Sequence, residues 1–231
     1  RGILVNQLTG WESEGLDPAT WQAAPTVFER ARAEGRPTFA VGVAAYAASG
    51  FTRATLRGAE FVAAQTPAER VEVAYDLAES HPGSLIYCYL PEADKAGHRY
   101  GLDSVQWVSA LEEIDAALSR RVPPGVGVLV TSDHGMVDVP VHRQVVLEAE
   151  HLDGVRHIGG EPRMLHVYVE PDADAAVVAE RWRRDLEGLA DVGTGQEAIA
   201  SGFFGPEVTS AAATRIGDVL VVARGNGAVY D

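Results

Sequence analysis

Apolar residues recur at helical spacing in several stretches of the chain. The stretch from Pro25 to Gly35 begins with Pro and ends with Gly, which predicts a first helix. The T-x-x-E pattern at Thr66 to Glu69 is a capping box and predicts the start of a second helix, PAERVEVAYDLAES. A third helix is predicted from Asp103 or Ser104 to the Pro-Pro-Gly break, and a fourth around Ala175 to Leu189. The apolar face of the third consists of Val105, Val108, Leu111, Ile114 and Leu118.

Short apolar runs between these helices indicate strands. They are PTFAVGVAAYA at 37–47, SLIYCYLP at 84–91, VGVLVTS at 126–132, MLHVYVE at 164–170 and IGDVLVVAR at 216–224. The first three runs are almost wholly apolar instead of alternating, as is typical of parallel strands that helices cover on both faces. The sequence therefore predicts an α/β protein with a doubly wound, mostly parallel sheet flanked by helices. Because no repeat or linker interrupts the pattern, we expect residues 1–231 to form a single domain.

The composition is that of a globular protein with a strong negative charge. Hydrophobic residues make up 46% of the 231 residues, and 33 Asp and Glu face 19 Lys and Arg, giving a net charge of −14. This balance disfavours a nucleic acid or anionic membrane as partner, and no apolar run is long enough to span a bilayer. The absence of a secretory signal pattern favours a cytoplasmic location. A phosphate substrate would also be repelled, so it would need local positive charge, which bound divalent cations can supply.

Polar clusters follow two of the predicted strands directly. Asp94 and His98 come after the strand at 84–91, and Asp133 and His134 come after the strand at 126–132. Because a right-handed β-α-β unit opens both strand ends onto one edge of the sheet, we expect the clusters to meet there. Carboxylate and imidazole groups suit zinc and related divalent ions. Either cluster alone could instead be a turn or a helix cap, but together they predict a metal site.

Four ligands are too few for two closed metal sites. A catalytic zinc normally takes three ligands from protein, so two metals with two ligands each would need donors from elsewhere. The sequence therefore predicts two incomplete halves of a two-metal site.

The chain resembles the nucleotide pyrophosphatase/phosphodiesterase family of the alkaline phosphatase superfamily. The resemblance rests on EADKAGHRYG at Glu92–Gly101 and VLVTSDHGM at Val128–Met136. It implies an alkaline phosphatase-like core and two divalent metal ions, most readily zinc. It implies that Asp94 and His98 bind one ion and that Asp133 and His134 bind the other. The implied substrate is a small-molecule phosphate ester or nucleotide.

The first residues of the chain also resemble a segment of this family. Arg1-Gly2-Ile3-Leu4-Val5-Asn6 is similar to the family's His-Gly-Ile-x-x-Asn segment, which follows the nucleophile loop. The resemblance thus implies a Thr or Ser nucleophile, and an early Asp ligand, upstream of residue 1. A late His-Gly ligand motif is expected beyond Asp231. We therefore expect a core that is incomplete at both ends, with no catalytic nucleophile in this chain and no turnover by it alone.

The function implied by the resemblance is metal-dependent hydrolysis of a phosphodiester or nucleotide pyrophosphate, in which the hydroxyl nucleophile forms a phospho-enzyme that water then cleaves. A related superfamily activity on phosphomonoesters, phosphonates or sulfate esters is an alternative. A second alternative is a non-catalytic α/β binding module that keeps the fold without the nucleophile.

Other reactive side chains have structural interpretations. Cys88, within an apolar run, is predicted to be a core residue. Thr52 and Thr55 are available hydroxyls that we interpret as helix caps, and His166 is interpreted as a packed or hydrogen-bonded strand histidine. His142, His151 and His157 are expected to face solvent. His157 and Arg163 flank the GGEP sequence, which is predicted to be a structural turn, with substrate contact as the alternative.

Overall fold

A computed structural model describes residues 6, 10, 11, 13 and 15–231. They divide into two compact units, the first ending at Met136 and the second running from Val137 to Asp231. The single domain expected from the sequence stays a prediction. The segment Arg1–Val5 compared with the family above lies outside the described residues. No helix in the described ranges is both long and apolar enough to cross a membrane.

The first unit is built around a parallel sheet. Its strands are β1 (Thr38–Gly42), β2 (Glu60–Ala63) and β3 (Leu85–Cys88). Its helices are α1 (Pro18–Trp21), α2 (Val27–Ala33), α3 (Gly50–Thr55), α4 (Pro67–Ser80), α5 (Glu92–Tyr100) and α6 (Val105–Leu118), with a 3₁₀ turn at Ala44–Tyr46. The strand order is β2-β1-β3, and both pairings are parallel. Every residue of the central strand β1 is buried. The predicted α/β class, with a parallel sheet flanked by helices, is confirmed.

Helix starts follow the local chemistry that the sequence shows. Helix α4 begins at Pro67, after Thr66 and Glu69 form a reciprocal capping box, as predicted. Helix α2 begins in the same way, with Thr26 as its cap and Glu29 as the third helical residue. Helix α6 begins after Ser104, whose hydroxyl accepts a hydrogen bond from the backbone N–H of Trp107.

The prediction of a strand at 126–132 is wrong. These residues form neither helix nor strand, and Val128, Leu129 and Val130 are 47%, 89% and 66% exposed. An apolar, β-branched run fits a pleated surface only where a neighbouring strand and a covering layer exist. In the part of the chain that the structure describes, β3 pairs with β1 alone, and no strand pairs with its other edge. The run therefore has the composition of a buried strand without its hydrogen bonding.

The second unit contains an antiparallel sheet in the order β5-β6-β8-β7, together with a two-stranded parallel pair, β4 and β9. Its strands are β4 (Gln144–Val146), β5 (Val155–Glu161), β6 (Met164–Val169), β7 (Ala190–Thr194), β8 (Val219–Ala223) and β9 (Ala228–Tyr230). Its helices are α7 (Ala175–Asp185), α8 (Gly195–Ala200) and α9 (Ser210–Ala213), with a 3₁₀ turn at Val141–Arg143. The predicted strands at 164–170 and 216–224 are present, and they pair with each other antiparallel.

The core of the second unit lies between α7 and this sheet. Trp182 is fully buried in a cluster with Val167, Val219 and Leu186. Its indole N–H donates to the carbonyl of His151 at 3.0 Å, so burying the ring leaves no unpaired donor.

His166 of β6 is expected to make the stability of this unit depend on pH. Its Nδ1 accepts a hydrogen bond from the backbone N–H of Gly217 at 3.0 Å, as the interpretation of a hydrogen-bonded strand histidine requires. Burial lowers the pKa of His166, because the surroundings disfavour the imidazolium form. The native state therefore holds the neutral ring, and protonation would remove the acceptor that Gly217 uses.

We expect wild-type stability to fall as pH drops through the unfolded-state pKa of His166, near 6.5. The unfolded chain binds the proton more readily than the native state, so lowering the pH favours unfolding. His166→Asn retains an acceptor oxygen close to the place of Nδ1 and does not titrate. Urea midpoints measured at pH 7.5 and 5.5 should therefore differ less for His166→Asn than for wild type. Equal pH dependence in both proteins would contradict this role.

Candidate metal centre

Helix α5 carries the first pair of candidate ligands. The sequence pattern places the segment EADKAGHRY directly after a predicted strand and predicts no helix there, and the structure makes it a helix from Glu92 to Tyr100. Glu92 and Asp94 lie in its first turn and His98 in its last, which suits the helix dipole. An Asp and a His four residues apart lie on one face of a helix, so the helix presents Asp94 and His98 together.

A buried ion pair fixes the start of this helix. Arg70 of α4 has no exposed side-chain surface, and its guanidinium forms an ion pair with Glu92, whose side chain is 23% exposed. Arg70 also donates to the carbonyl of Gln65 at 3.1 Å. Because a buried guanidinium needs a counter-charge, Glu92 is held at one place against α4. Asp94 lies two residues later on the same helix, so the ion pair fixes its position as well.

The two motifs approach each other at Asp94. Its Oδ1 lies 3.3 Å from Nε2 of His98 and 3.7 Å from Nε2 of His134. His134 Nε2 also lies 3.8 Å from Oδ1 of Asp133. All four predicted ligands are thus linked in a chain of short distances, with both histidine rings turned toward Asp94. The remainder of the cluster opens to solvent, since the side chains of His98 and Asp133 are 70% and 82% exposed.

The donor chemistry of this cluster fits a divalent cation. Asp94 Oδ1 is buried yet has no hydrogen-bond partner, although the His98 ring is near enough. A buried carboxylate oxygen without a donor is costly, and a cation would satisfy it. Within the described ranges, however, no three His, Cys, Asp or Glu side chains converge in a metal-binding arrangement. The cluster thus supplies donors of the kinds that a divalent cation prefers, and its assignment to metal ions stays a prediction.

Tyrosine rings that the sequence interpretation did not use lie beside the cluster. Tyr87 and Tyr89 stack with centroids 6.1 Å apart, and Tyr46 lies 6.1 Å from Tyr89. Burial raises the pKa of Tyr89 to about 12, and the negative charge of Asp94 adds to this effect. Its phenol therefore stays protonated at neutral pH. The Y-x-Y spacing, which puts both rings on one face of the chain at the end of β3, is the signal that could have shown them.

A lysine side chain lies over one of these tyrosine rings. The ammonium of Lys95 lies 5.2 Å from the centroid of the Tyr46 ring, over its face, in a cation–π contact. Lys95 follows Asp94 directly, so it is a positive group at the edge of a strongly acidic region.

Cys88, Thr52 and Thr55 have structural interpretations. Burial raises the pKa of the Cys88 thiol to about 11, so the thiolate needed of a nucleophile is scarce at neutral pH. Thr52 and Thr55 lie inside α3 and are not its caps, since Ser49 caps the helix. The Thr55 hydroxyl donates to the carbonyl of Phe51 within the same helix.

The residues around the GGEP sequence belong to a hairpin between β5 and β6. Arg163 donates to the carbonyl of Gly227 at 2.6 Å, which is a structural contact. His142 and His157 are exposed, as expected, but His151 is partly buried and its Nδ1 accepts from the backbone N–H of Glu148. The expectation that His151 faces solvent is wrong, because its ring packs edge-on against Trp182.

Comparison with known families gives a match over nearly the whole chain. The sequence model of type I phosphodiesterase / nucleotide pyrophosphatase matches residues 5–230. Among curated proteins, the phosphopentomutases of Sinorhizobium medicae and Rhizobium meliloti are similar over 118 and 117 residues, at 34% and 32% identity. Each match covers 48% of this chain and 27% of the phosphopentomutase.

Solved structures share the fold at low sequence identity. Phosphonoacetate hydrolase from Sinorhizobium meliloti, in complex with phosphonoformate, aligns over 90% of this chain and 60% of its own, with a TM-score of 0.64 and 16% identity. Murine ectonucleotide pyrophosphatase / phosphodiesterase 5, in an inactive form with AMP, aligns over 93% of this chain and 57% of its own. The TM-score is 0.62 and the identity 16%. The chain therefore spans less than two thirds of these relatives.

Proposed function

Because the chain belongs to the type I phosphodiesterase / nucleotide pyrophosphatase family, we propose that it forms part of a metal-dependent hydrolase of phosphate esters. The observation that carries the proposal is the approach of His98 and His134 to the buried Oδ1 of Asp94, which has no hydrogen-bond partner. Two sequence motifs 35 or more residues apart meet there on groups suited to a cation.

The proposed ligand roles follow the pairs that the motifs define. Asp94 and His98 would hold one divalent ion, most readily zinc, and Asp133 and His134 would hold a second. When bound, such ions neutralise charge on a phosphoryl group and lower the pKa of an attacking hydroxyl. The nucleophile, a Thr or Ser, is expected upstream of residue 1.

The electrostatics of the chain support a cation-dependent site. A net charge of −14 repels a phosphate ester, and the site itself contains two carboxylates. Lys95 is a basic side chain beside them, and its ammonium also contacts Tyr46. A hydrolase of phosphate esters with this charge therefore depends on cations held at Asp94 and Asp133.

The substrate class proposed is a small phosphodiester or nucleotide. The murine relative was solved with AMP, and the aromatic group of Tyr46, Tyr87 and Tyr89 next to Asp94 offers flat surfaces suited to a base or another planar group. A phosphonate is the second candidate, because the phosphonoacetate hydrolase fold fits this chain equally well.

The test measures hydrolysis by the full-length enzyme that contains this chain. Bis(p-nitrophenyl) phosphate turnover should stop after treatment with a chelator and return with added zinc, whereas the isolated chain should bind zinc weakly and show no turnover. Phosphonoacetate assayed in parallel separates the two candidate substrates. Turnover that resists chelation would refute the proposed function. No turnover by the metal-loaded full-length protein would favour the non-catalytic module.

A further inference from the structure

Gly97 is a buried position on the helix that carries the first ligand pair. It lies in α5 between Asp94 and His98, and it is the one buried residue of that helix, all of which the structure describes. Glycine in the middle of a helix costs roughly 0.5–1 kcal/mol relative to alanine, so a structural reason for it is needed. Residues on either side are ordinary helix formers, and the backbone of Gly97 does not have a positive φ.

The reason lies in the neighbour that occupies the missing side chain's place. A Cβ added to Gly97 would lie 2.5 Å from Sδ and 2.7 Å from Cε of Met136. Both distances are shorter than any real Cβ contact, so the thioether fills the notch that glycine leaves. A third neighbour, Cδ1 of Trp107, would lie 3.4 Å away, which is ordinary contact.

Met136 belongs to the second motif and lies two residues after His134. The segment before it, 126–132, forms no strand, so sheet hydrogen bonding does not fix the position of His134. The contact of the Met136 thioether with α5, two residues later, is therefore a constraint on where His134 can be. The notch lies on the same helix as Asp94, whose Oδ1 is 3.7 Å from His134.

We propose that Gly97 and Met136 are positioning residues that set the spacing between the two ligand pairs. The unbranched thioether seats in the notch and brings His134 to Asp94. This inference rests on the proposed function, because the spacing matters only if the pairs act together. It extends that function to two residues that bear no ligand atoms.

A methyl group at Gly97 separates this role from general stability. Gly97→Ala improves helix propensity, so it does not weaken the helix itself, but it forces the end of Met136 out of the notch. Gly127→Ala is the matched control, because a Cβ there meets nothing within 4 Å and its φ is not positive. Both variants add one methyl group to the same unit.

The first measurement needs no metal. The chain has only two methionines, Met136 and Met164, so ¹³C-methyl methionine labelling gives two signals. We expect Gly97→Ala to shift the Met136 signal and leave Met164 in place, and Gly127→Ala to move neither. A Met136 signal that is sharp and at the free-methionine position in wild type, or that is unchanged in Gly97→Ala, would overturn the proposal.

The second measurement is the zinc affinity of the full-length protein, determined by competition with a chromophoric chelator. We expect Gly97→Ala to weaken binding about 10-fold, the lower figure for losing an outer-shell contact, with Gly127→Ala unchanged. Met136→Ala should weaken it similarly, and Gly97→Ala should add nothing in the Met136→Ala background, because the clash is gone. Additive effects would overturn the proposal. A wild-type full-length protein that binds no zinc while the methyl signals behave as expected would refute the proposed function and leave the packing contact established.

Discussion

Replacing Asp94 by asparagine is expected to weaken zinc binding by more than about 100-fold. Losing a residue that only orients a metal ligand costs up to about 100-fold in affinity, and losing a ligand should cost more. Asp94 is the one candidate ligand near both histidines, at 3.3 Å from His98 and 3.7 Å from His134. The substitution keeps the shape of the side chain but removes the negative charge that a cation would neutralise. In the full-length enzyme, phosphodiester hydrolysis should fall in parallel.

Asp115→Asn is the matched control for this change. Asp115 is an exposed acid on α6, so its replacement alters the net charge equally and leaves the cluster intact. We expect unchanged zinc affinity and activity. If Asp94→Asn and Asp115→Asn bound zinc equally well, Asp94 would not be a ligand.

Breaking the buried ion pair under α5 is expected to have the largest effect on stability. Arg70→Met should lower the free energy of unfolding by about 3–5 kcal/mol, because Glu92 loses the cation that compensates its burial. Urea unfolding followed by circular dichroism measures the change. Glu92→Gln should be costly as well, since it leaves a fully buried guanidinium with the carbonyl of Gln65 as partner.

Two comparisons distinguish the ion pair from a general loss of arginine. Arg120→Met removes the exposed pair with Glu72, whose side chains are 43% and 55% exposed, and should cost less than about 1 kcal/mol. The double variant Arg70→Met with Glu92→Leu should recover most of the loss, because no uncompensated charge stays buried. Equal losses for Arg70→Met and Arg120→Met would show that burial of the pair does not matter.

The sequence predicted best the elements whose signals are local. Helix α4 has both ends where Thr66 and Pro82 indicated them, since a capping box and a Pro-Gly pair act within a few residues. Helix α5 was missed because its local signals are weak: Pro91 before it provides no side-chain cap, and Gly97 inside it lowers helix propensity.

Pairing between strands could not be predicted from any one segment. The run at 126–132 has better strand composition than β2 at Glu60–Ala63, yet only β2 has a partner strand in the described structure. Partners depend on distant residues, which single-segment patterns do not contain. For the same reason the antiparallel order of β5, β6, β8 and β7 was not expected.

The sequence predicted four candidate ligands and the approach of their two clusters, but not the distances between them. Four possible ligands followed from two motifs, and the structure shows that Asp94, His98 and His134 lie close together. Their assignment to metals stays a prediction. Two further contacts depend on side-chain packing between elements: Gly97 with Met136, and the buried pair of Arg70 and Glu92. Neither contact can be predicted from the spacing of the motifs.

The exposed apolar run at 126–132, which follows α6, affects how the protein associates in solution. VGVLVTS is seven residues long, carries no charge and is rich in β-branched side chains, which is the composition that stacks between chains. Pro123 and Pro124 before it and Asp133 after it interrupt such stacking at both ends. Solubility of the isolated chain therefore depends on these flanking residues. Mutating Asp133 to study metal binding would also remove a charge that opposes aggregation of the chain.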